Sequence, residues 1–536
     1  MKIESVRRIE FVVAILLTAV VLILLGVRAV HAGALWRDEC GSVQLAQMPA
    51  FADIFENFAR EAFPVPFPAA LRAYSTVFGT SDAAFRTLGF AVGVLLLIVI
   101  WHNSRLLSGG PPLLLLVLLG LNATFLTWGT SLRAYGIGSV FILLAFALIA
   151  KMLLEPTWFR IAVAFLASLV SVQLLLYNSV LLAAIGVAVI IVSAIRRMLK
   201  PALAMTGIGL LCAGSMLPYL GAYYKGTQWN MLQKGPLTFS LIWNQLALGF
   251  GDPWNLMTWV WPVLFFAIIG GASAQLYFAS RSRQSSGRDL FFFGMITIAA
   301  SIIGYYAFLK ALSYGTRPWY YLALLSVLAG TLDLLVIVMC QIAWIRVARL
   351  AFVSVAFFVL PFADWPSITE RVTNIDLVAK KLGQLAGPND LIIVNPWWLG
   401  ISFTRYYHGP TRWETLPTMN DHQIHRFDLV KAKMVAQNPI DDLRDMIGKT
   451  LQSGRRVWFV GGIGLPEAGV STPQLPDRSD TAFRWNSDVY CDFWSAQLGA
   501  FLQMHMLGIA EIPEPAGGPV NPLEDVPLLG VEGWKE

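Results

Sequence analysis

The chain has 536 residues, 56% hydrophobic and only 13% charged, with a mean hydropathy of +0.62 and a formal net charge of +6. An ordinary soluble domain carries about a quarter of its residues charged, so this composition places the chain in a bilayer. The basic surplus does not point to nucleic acid, because Arg and Lys sit in short clusters between apolar runs rather than along one stripe.

Apolar runs of spanning length, about 17 to 25 residues, recur at 11–30, 84–101, 112–129, 133–150, 158–176, 179–195, 203–220, 256–279, 290–309, 318–340 and 344–362, which predicts eleven transmembrane helices. The first run follows Lys2, Arg7 and Arg8 and ends in Val30-His31-Ala32. That ending resembles a signal-peptidase site, but the run is longer than a signal core, so we read it as an uncleaved first helix. With the N-terminus cytoplasmic, the inner loops hold Arg105, Lys151, Arg160, Arg196, Arg197, Lys200, Arg281, Arg283, Arg288, Arg346 and Arg349, as the positive-inside rule requires.

Four segments then face outward: loop 31–83, the Trp-rich loop 221–255, the turn 310–317, and everything after 363. In the first loop, Phe51, Ile54, Phe55 and Phe58 fall at helical spacing after Pro49, predicting an amphipathic helix on the membrane surface, and a second helix is expected from Leu71 to Phe78. Beyond Pro361 the charge density rises. A helix over about 369–386 precedes the strand-like Asp390–Asn395, and another helical stretch precedes Arg456–Val460. The alternation predicts two domains, a membrane domain 1–363 and a soluble α/β domain 364–536. Gly461-Gly462-Ile463-Gly464 lacks the spacing of a dinucleotide-binding loop and reads as a turn. Cys212 and Cys340 lie in apolar runs as buried thiols; Cys40 and Cys491 could both face an oxidising compartment, though nothing in sequence brings them together.

Trp36-Arg37-Asp38-Glu39 lies just beyond the first run, at the outer interface. An acidic pair there is either a solvated loop or a site, and adjacent residues on a helix do not share a face, so the two carboxylates are expected to play different parts. Ser131-Leu132-Arg133-Ala134-Tyr135-Gly136 opens the fourth run with an outer arginine against the positive-inside bias. Arg133 suits a lipid phosphate, with headgroup snorkelling or pairing with Asp38 as alternatives. Lys310 and Arg317, also outside against the bias, are further phosphate or headgroup candidates. In loop 221–255, Trp229, Asn230, Trp243, Asn244, Asp252 and Trp254 suit either sugar contact or an aromatic belt; Asn244 and Asp252 are the acceptor-side candidates. His408, His422 and His425 cluster late in the chain without a Cys or acidic partner for a zinc pattern, and read as surface histidines.

The order of W-x-D-E after the first run, a Pro-rich stretch with Arg72, a further run, and then S-L-R-A-Y-G resembles the GT-C membrane glycosyltransferases, the superfamily of protein O-mannosyltransferases and the lipid A aminoarabinose transferase, and within it bacterial relatives that act on envelope glycans. The resemblance covers mainly residues 35–150, with Thr316-Arg317-Pro318-Trp319-Tyr320-Tyr321 in support. It implies a polyprenyl-phosphate-linked sugar donor, membrane lipids as surroundings, a glycan, lipid or protein acceptor, Asp38 at the reaction centre with Glu39 in support, and basic residues on the donor phosphate. It also implies a bacterial inner-membrane location with the soluble domain periplasmic, and hexosyl or pentosyl transfer. Phe63-Pro64-Val65-Pro66-Phe67 stands where many relatives have a His-Pro-Pro-Leu-Tyr type stretch, so neither the acceptor type nor metal use carries over. A divalent cation on Asp38 and Glu39 is an open possibility. Two other readings stand beside the enzyme: a transporter or flippase for lipid-linked sugars, which would be expected to show repeats and charged mid-membrane helices, and a membrane-anchored binding protein working through its soluble domain.

Overall fold

The computed structural model describes residues 3–61, 63–107, 110–230, 232, 234–251, 254–278, 285–339, 343–466, 486–513 and 517–535. Among these residues nine helices are long and apolar enough to cross a membrane, from Glu4–His31 to Trp344–Thr369. The chain is a polytopic helical membrane protein carrying a small C-terminal α/β unit. Two of the eleven expected runs differ from simple spans. Trp158–Leu174 is a helix of 17 residues, about 25 Å at 1.5 Å per residue and short of the hydrocarbon thickness. The run 112–129 is not one helix but a turn of α-helix, Leu113–Leu115, followed by π-helical turns Leu116–Gly120 and Phe125–Gly129. Asn122 breaks it: its Oδ1 accepts from the Phe125 amide at 2.8 Å while its Nδ2 donates to the carbonyls of Gly249 and Phe250 at 3.2 and 3.0 Å. The irregular backbone is buried in protein, where such breaks are tolerated.

The helices pack closely where glycine removes a side chain. A Cβ on Gly136 would stand 1.7 Å from the Gly129 carbonyl oxygen, and one on Gly89 would stand 2.0 Å from that of Thr130. These contacts set the starts of helices Asp82–Leu107 and Ala134–Leu154 against the broken run. Gly136→Ala is therefore expected to lower stability by about 1–3 kcal/mol, read as a fall in the thermal midpoint of the detergent-purified protein. At one end of the bundle Glu10, fully buried, takes Arg346 at 2.9 Å and Arg349 at 2.7 Å. At the other, Arg28 donates to the carbonyls of Ser367, Ile368 and Glu370. The first helix, Ile3–His31, thus lies parallel to Ala343–Thr369.

The stretch expected as loop 221–255 is mostly helical, with Leu220–Asn230 and Phe239–Gly249. Its apolar residues extend the preceding run to 31 residues, Leu199–Trp229. Between the first two long helices the expected helices are Phe51–Asn57 and Pro66–Phe78, joined by an unforeseen one at Arg37–Ala46. Ile54 and Phe58 pack with Leu45, Val65, Tyr219 and Ile424, while Phe51 and Phe55 of the same stretch stay exposed.

The C-terminal sheet has five strands: β1 (Leu391–Val394), β2 (Arg412–Thr415), β3 (Val457–Val460), β4 (Met506–Ile512) and β5 (Leu528–Trp534), in the order β2-β1-β3-β5-β4. β1 runs parallel to β2 and β3, while β5 is antiparallel to β3 and β4. Every residue of β1 and β3 is buried, as expected of parallel strands with helices on both faces. The helix foreseen over 369–386 is Ile375–Leu385, because the last long helix continues to Thr369. Cys40, Cys212 and Cys491 are buried free thiols, and Cys340 lies outside the described residues.

The C-terminal unit is bound to the membrane portion by specific polar contacts. Tyr406 accepts from the Leu35 amide at 2.7 Å and donates to Asp82 at 2.8 Å, Gln44 donates to the Ile401 carbonyl at 2.8 Å, and the Val372 amide donates to the Ala32 carbonyl at 2.9 Å. All of them gather around the Arg37–Ala46 helix.

Candidate functional site

Gly33, at φ +68°, turns the chain out of the first helix, and Trp36 stands as the N-cap of Arg37–Ala46. Glu39 occupies the third helical position and its Oε2 accepts from the Trp36 amide at 3.3 Å, one half of a capping box. Glu39 is fully buried, and its Oε1 accepts from Arg86 at 2.8 Å and from the Leu132 amide at 3.0 Å. It fastens three segments together and has no free oxygen for substrate. Asp38 points elsewhere and keeps 20% of its side chain exposed. The acidic pair is therefore divided by the helical turn: Glu39 is held inside the protein, and Asp38 reaches the surface.

Beside Asp38 lie three residues that come from distant parts of the sequence. Arg133, the N-cap of Ala134–Leu154, is buried and donates to Glu61 Oε2 at 2.8 Å, to the Ser42 hydroxyl at 3.0 Å and to the Asp38 carbonyl at 3.1 Å. Its guanidinium stands 4.0 Å from the Asp38 carboxylate and over the Phe63 ring at 4.3 Å. Arg133 thus has anionic partners inside the protein, Glu61 at 2.8 Å and Asp38 at 4.0 Å. Glu61 also accepts from the His425 amide at 3.1 Å and lies 2.8 Å from its Nδ1, while His425 Nε2 is 3.5 Å from Asp38 Oδ1. Gly41 makes this possible, since a Cβ there would stand 2.7 Å from the Glu61 carboxylate. His425 is no surface histidine; it is inserted between two carboxylates.

The charges hold one another. Burial works to raise the Asp38 carboxyl, but Arg133, His425 and Arg37 outweigh it and hold it well below the usual carboxylate range. Glu61 is lowered in the same way by His425 and Arg133 against its burial. Burial works to lower the His425 imidazole, yet Glu61 and Asp38 push it up to about 9, so the ring is cationic at neutral pH. The loop that carries it is fixed by Arg60, which pairs with Asp428 and lies over Trp229 at 4.8 Å, and by Arg426, which pairs with Asp421 and Asp428.

At the rim, Arg37 lies 3.5 Å from Asp38 between the rings of Trp36 and Trp398, at 5.6 and 5.5 Å. Its backbone amide donates to Glu524 at 3.1 Å. Arg317 is exposed at the start of Pro318–Tyr321, with no ion pair among the described residues. It shares with Asp38 and Arg133 the electrostatic surroundings of Tyr320, and with Arg37 those of Asp488. Lys310 instead donates to the Leu237 carbonyl, beside the contact of the Gly235 amide with the Ser313 carbonyl. It tethers a loop. Asn244 is exposed on Phe239–Gly249, a helix that packs against Pro318–Tyr321, and Asp252 lies outside the described residues. Trp36, Trp128 and Trp319 form an aromatic wall behind the helix start, with centroids 4.4 to 5.8 Å apart.

A divalent cation does not fit here. Glu39 is neutralised by Arg86, and a cation on Asp38 would sit against Arg133, Arg37 and the His425 imidazolium. Among the described residues no group of three or more His, Cys, Asp or Glu is placed to hold a metal ion.

Asp38, Arg133 and Arg317 were candidates from the sequence; Glu61 was not, and His425 was read there as a surface histidine. The signals were present as Arg60-Glu61, a charged pair between Phe58 and Phe63, and as His422-x-x-His425. No family model and no curated protein matches the chain. Among solved structures it is similar to ArnT from Cupriavidus metallidurans bound to undecaprenyl phosphate, at 12% identity and a TM-score of 0.47, over 83% of this chain and 92% of that one.

Proposed function

We propose that this protein is a membrane glycosyltransferase that moves a hexosyl or pentosyl group from a polyprenyl-phosphate-linked donor to an envelope glycan, lipid or protein acceptor, at the periplasmic face of a bacterial inner membrane. The observation that carries the reading is the exposure of one carboxylate, Asp38, from a buried ion network at one end of the helices, with Arg37 against it and Arg317, which has no ion pair among the described residues, sharing with it the surroundings of Tyr320. The chemistry fits that arrangement. The acceptor hydroxyl attacks the anomeric carbon, the new C–O bond forms as the C–O bond to phosphate breaks, and the electron pair leaves on the lipid phosphate. Direct displacement inverts the anomeric centre. Arg317 and Arg37 meet the charge that develops on the phosphate.

Asp38 takes the hydroxyl proton. A carboxylate held this low is a weak base, but an oxygen already bonded to an electron-poor sugar carbon is strongly acidic, so proton transfer late in the displacement suffices. Arg133 and Glu61 act as positioning residues that hold Asp38 in place. Lys310 and Asn244 lie on elements that flank the rim, and a role for either would be in lipid or acceptor contact.

Purified protein given a radiolabelled polyprenyl-phosphate pentose or hexose and solubilised envelope material should release polyprenyl phosphate as label appears on acceptor. Movement of intact donor across vesicles without cleavage would instead favour a flippase. Arg317→Ala is expected to raise the donor KM by about 10- to 100-fold, the worth of about 1.5–3 kcal/mol for a hydrogen bond to a charged group, with a smaller effect on kcat. Unchanged polyprenyl-phosphate affinity in that variant would remove the arginine from the phosphate site.

A further inference from the structure

We infer that the C-terminal unit contributes a positioning residue to the reaction centre: His425, as an imidazolium bridging Glu61 and Asp38, fixes the orientation and charge of Asp38. This deepens the transferase reading and rests on it. The geometry resembles an orienting relay. Glu61 receives both the His425 amide and its Nδ1, which fixes the ring plane, and leaves Nε2 aimed at Asp38 at 3.5 Å. The ring is also packed parallel to Phe427, at 5.8 Å and 13°, and edge-on to Trp397 at 6.3 Å. A histidine restrained by a carboxylate on one nitrogen and two aromatic rings has little freedom to serve solvent.

The groups that face it come from every neighbouring element. Asp38 lies on Arg37–Ala46, Glu61 follows Phe58–Arg60, Arg133 opens Ala134–Leu154, and Trp397 follows β1. On its own segment Arg426 and Asp428 are paired with each other and with Asp421 and Arg60. Neutralising the imidazolium would leave Arg133 to balance the buried Glu61 carboxylate and, with Arg37, the partly exposed Asp38. Asp38 would then be free to swing toward Arg37, away from the acceptor. The C-terminal unit, on this inference, is part of the catalytic machinery and not only a dock.

The sign of the pH dependence follows. The stabilisation due to the charged ring is complete below the ordinary imidazole value of about 6.5 and is lost as pH rises through about 9. Activity of the wild type should therefore hold to about pH 8 and fall above it. His425→Gln, which keeps a polar side chain without the charge, should lower kcat by about 100-fold, the cost of misplacing a reacting group by about 1 Å, while binding of undecaprenyl phosphate changes less than twofold. His425→Lys should recover part of kcat and move the alkaline limb upward. Wild-type kcat and an unmoved alkaline limb in His425→Gln would overturn the inference. Should either variant fail to fold, the nitrogen-15 titration of His425 in the wild-type protein decides it. A value well above 6.5 that falls in Asp38→Asn supports the bridge, and titration near 6.5 defeats it. Absence of any sugar transfer by wild type would defeat the functional reading alone, since the titration does not depend on it.

Discussion

Asp38→Asn is expected to lower kcat by about 1,000-fold, within the range found for a positioned acid or base, with little change in thermal stability. The two effects separate because the residue is only partly buried. Its contacts to Arg133 and His425 are 4.0 and 3.5 Å long, and 20% of its side chain is exposed. Contacts of that length, to a side chain that solvent still reaches, contribute less than the fully buried pairs beside them. Asparagine fills the same volume and leaves Glu61 to hold Arg133 at 2.8 Å and His425 at 2.8 Å, so the network survives. What is lost is the proton acceptor facing the acceptor hydroxyl. The polyprenyl-phosphate Kd should change less than threefold, and could tighten, because removing a negative charge beside Arg37 leaves that guanidinium more available to phosphate. Full transfer by a well-folded Asp38→Asn would remove Asp38 from the reaction centre. Loss of transfer together with loss of phosphate binding would place it in the donor site instead.

The sequence carries the membrane part of this fold openly, since a spanning helix needs only about 20 apolar residues and a polar gap on each side. The broken run is the exception. Its composition is that of a span, and only Asn122 marks the break, through partners on a segment 127 residues away. The C-terminal unit was half legible. β1 and β3 are solid apolar runs, but β5 reads Leu-Leu-Gly-Val-Glu-Gly-Trp and becomes a strand because β3 and β4 supply partners on both sides. Strand propensity depends on such context more than on the residues themselves. At the site, the expectation that Arg133 needs an anion came from its place in the sequence, and the structure gives it Glu61 and Asp38. Asp38, at 4.0 Å, was one anion that the sequence offered; Glu61, the nearer partner at 2.8 Å, was not visible. Glu61 lies 72 residues from Arg133, and His425 lies 364 residues from Glu61, so their convergence is a property of packing and not of spacing.

The same reasoning predicts a stability effect at Glu39 as large as the catalytic effect at Asp38. Glu39 is wholly buried against Arg86, and removing one partner of a buried pair strands the other charge, which costs about 3–5 kcal/mol. Glu39→Ala should therefore fail to accumulate or unfold at a much lower temperature. Arg86→Met should cost less, because Glu39 would keep the amides of Trp36 and Leu132, at 3.3 and 3.0 Å, as donors. In the double variant the two losses should not add, since no unpaired charge remains; a cycle of thermal midpoints measures the coupling. Glu39→Gln is the sharper test. The amide retains the shape and an oxygen for Leu132, so part of the protein should fold, and its kcat per folded molecule should stay within about threefold of wild type, because the residue acts on the site only by holding it. A fully folded but inactive Glu39→Gln would place Glu39 at the reaction centre beside Asp38 and defeat the division of the acidic pair drawn from its geometry.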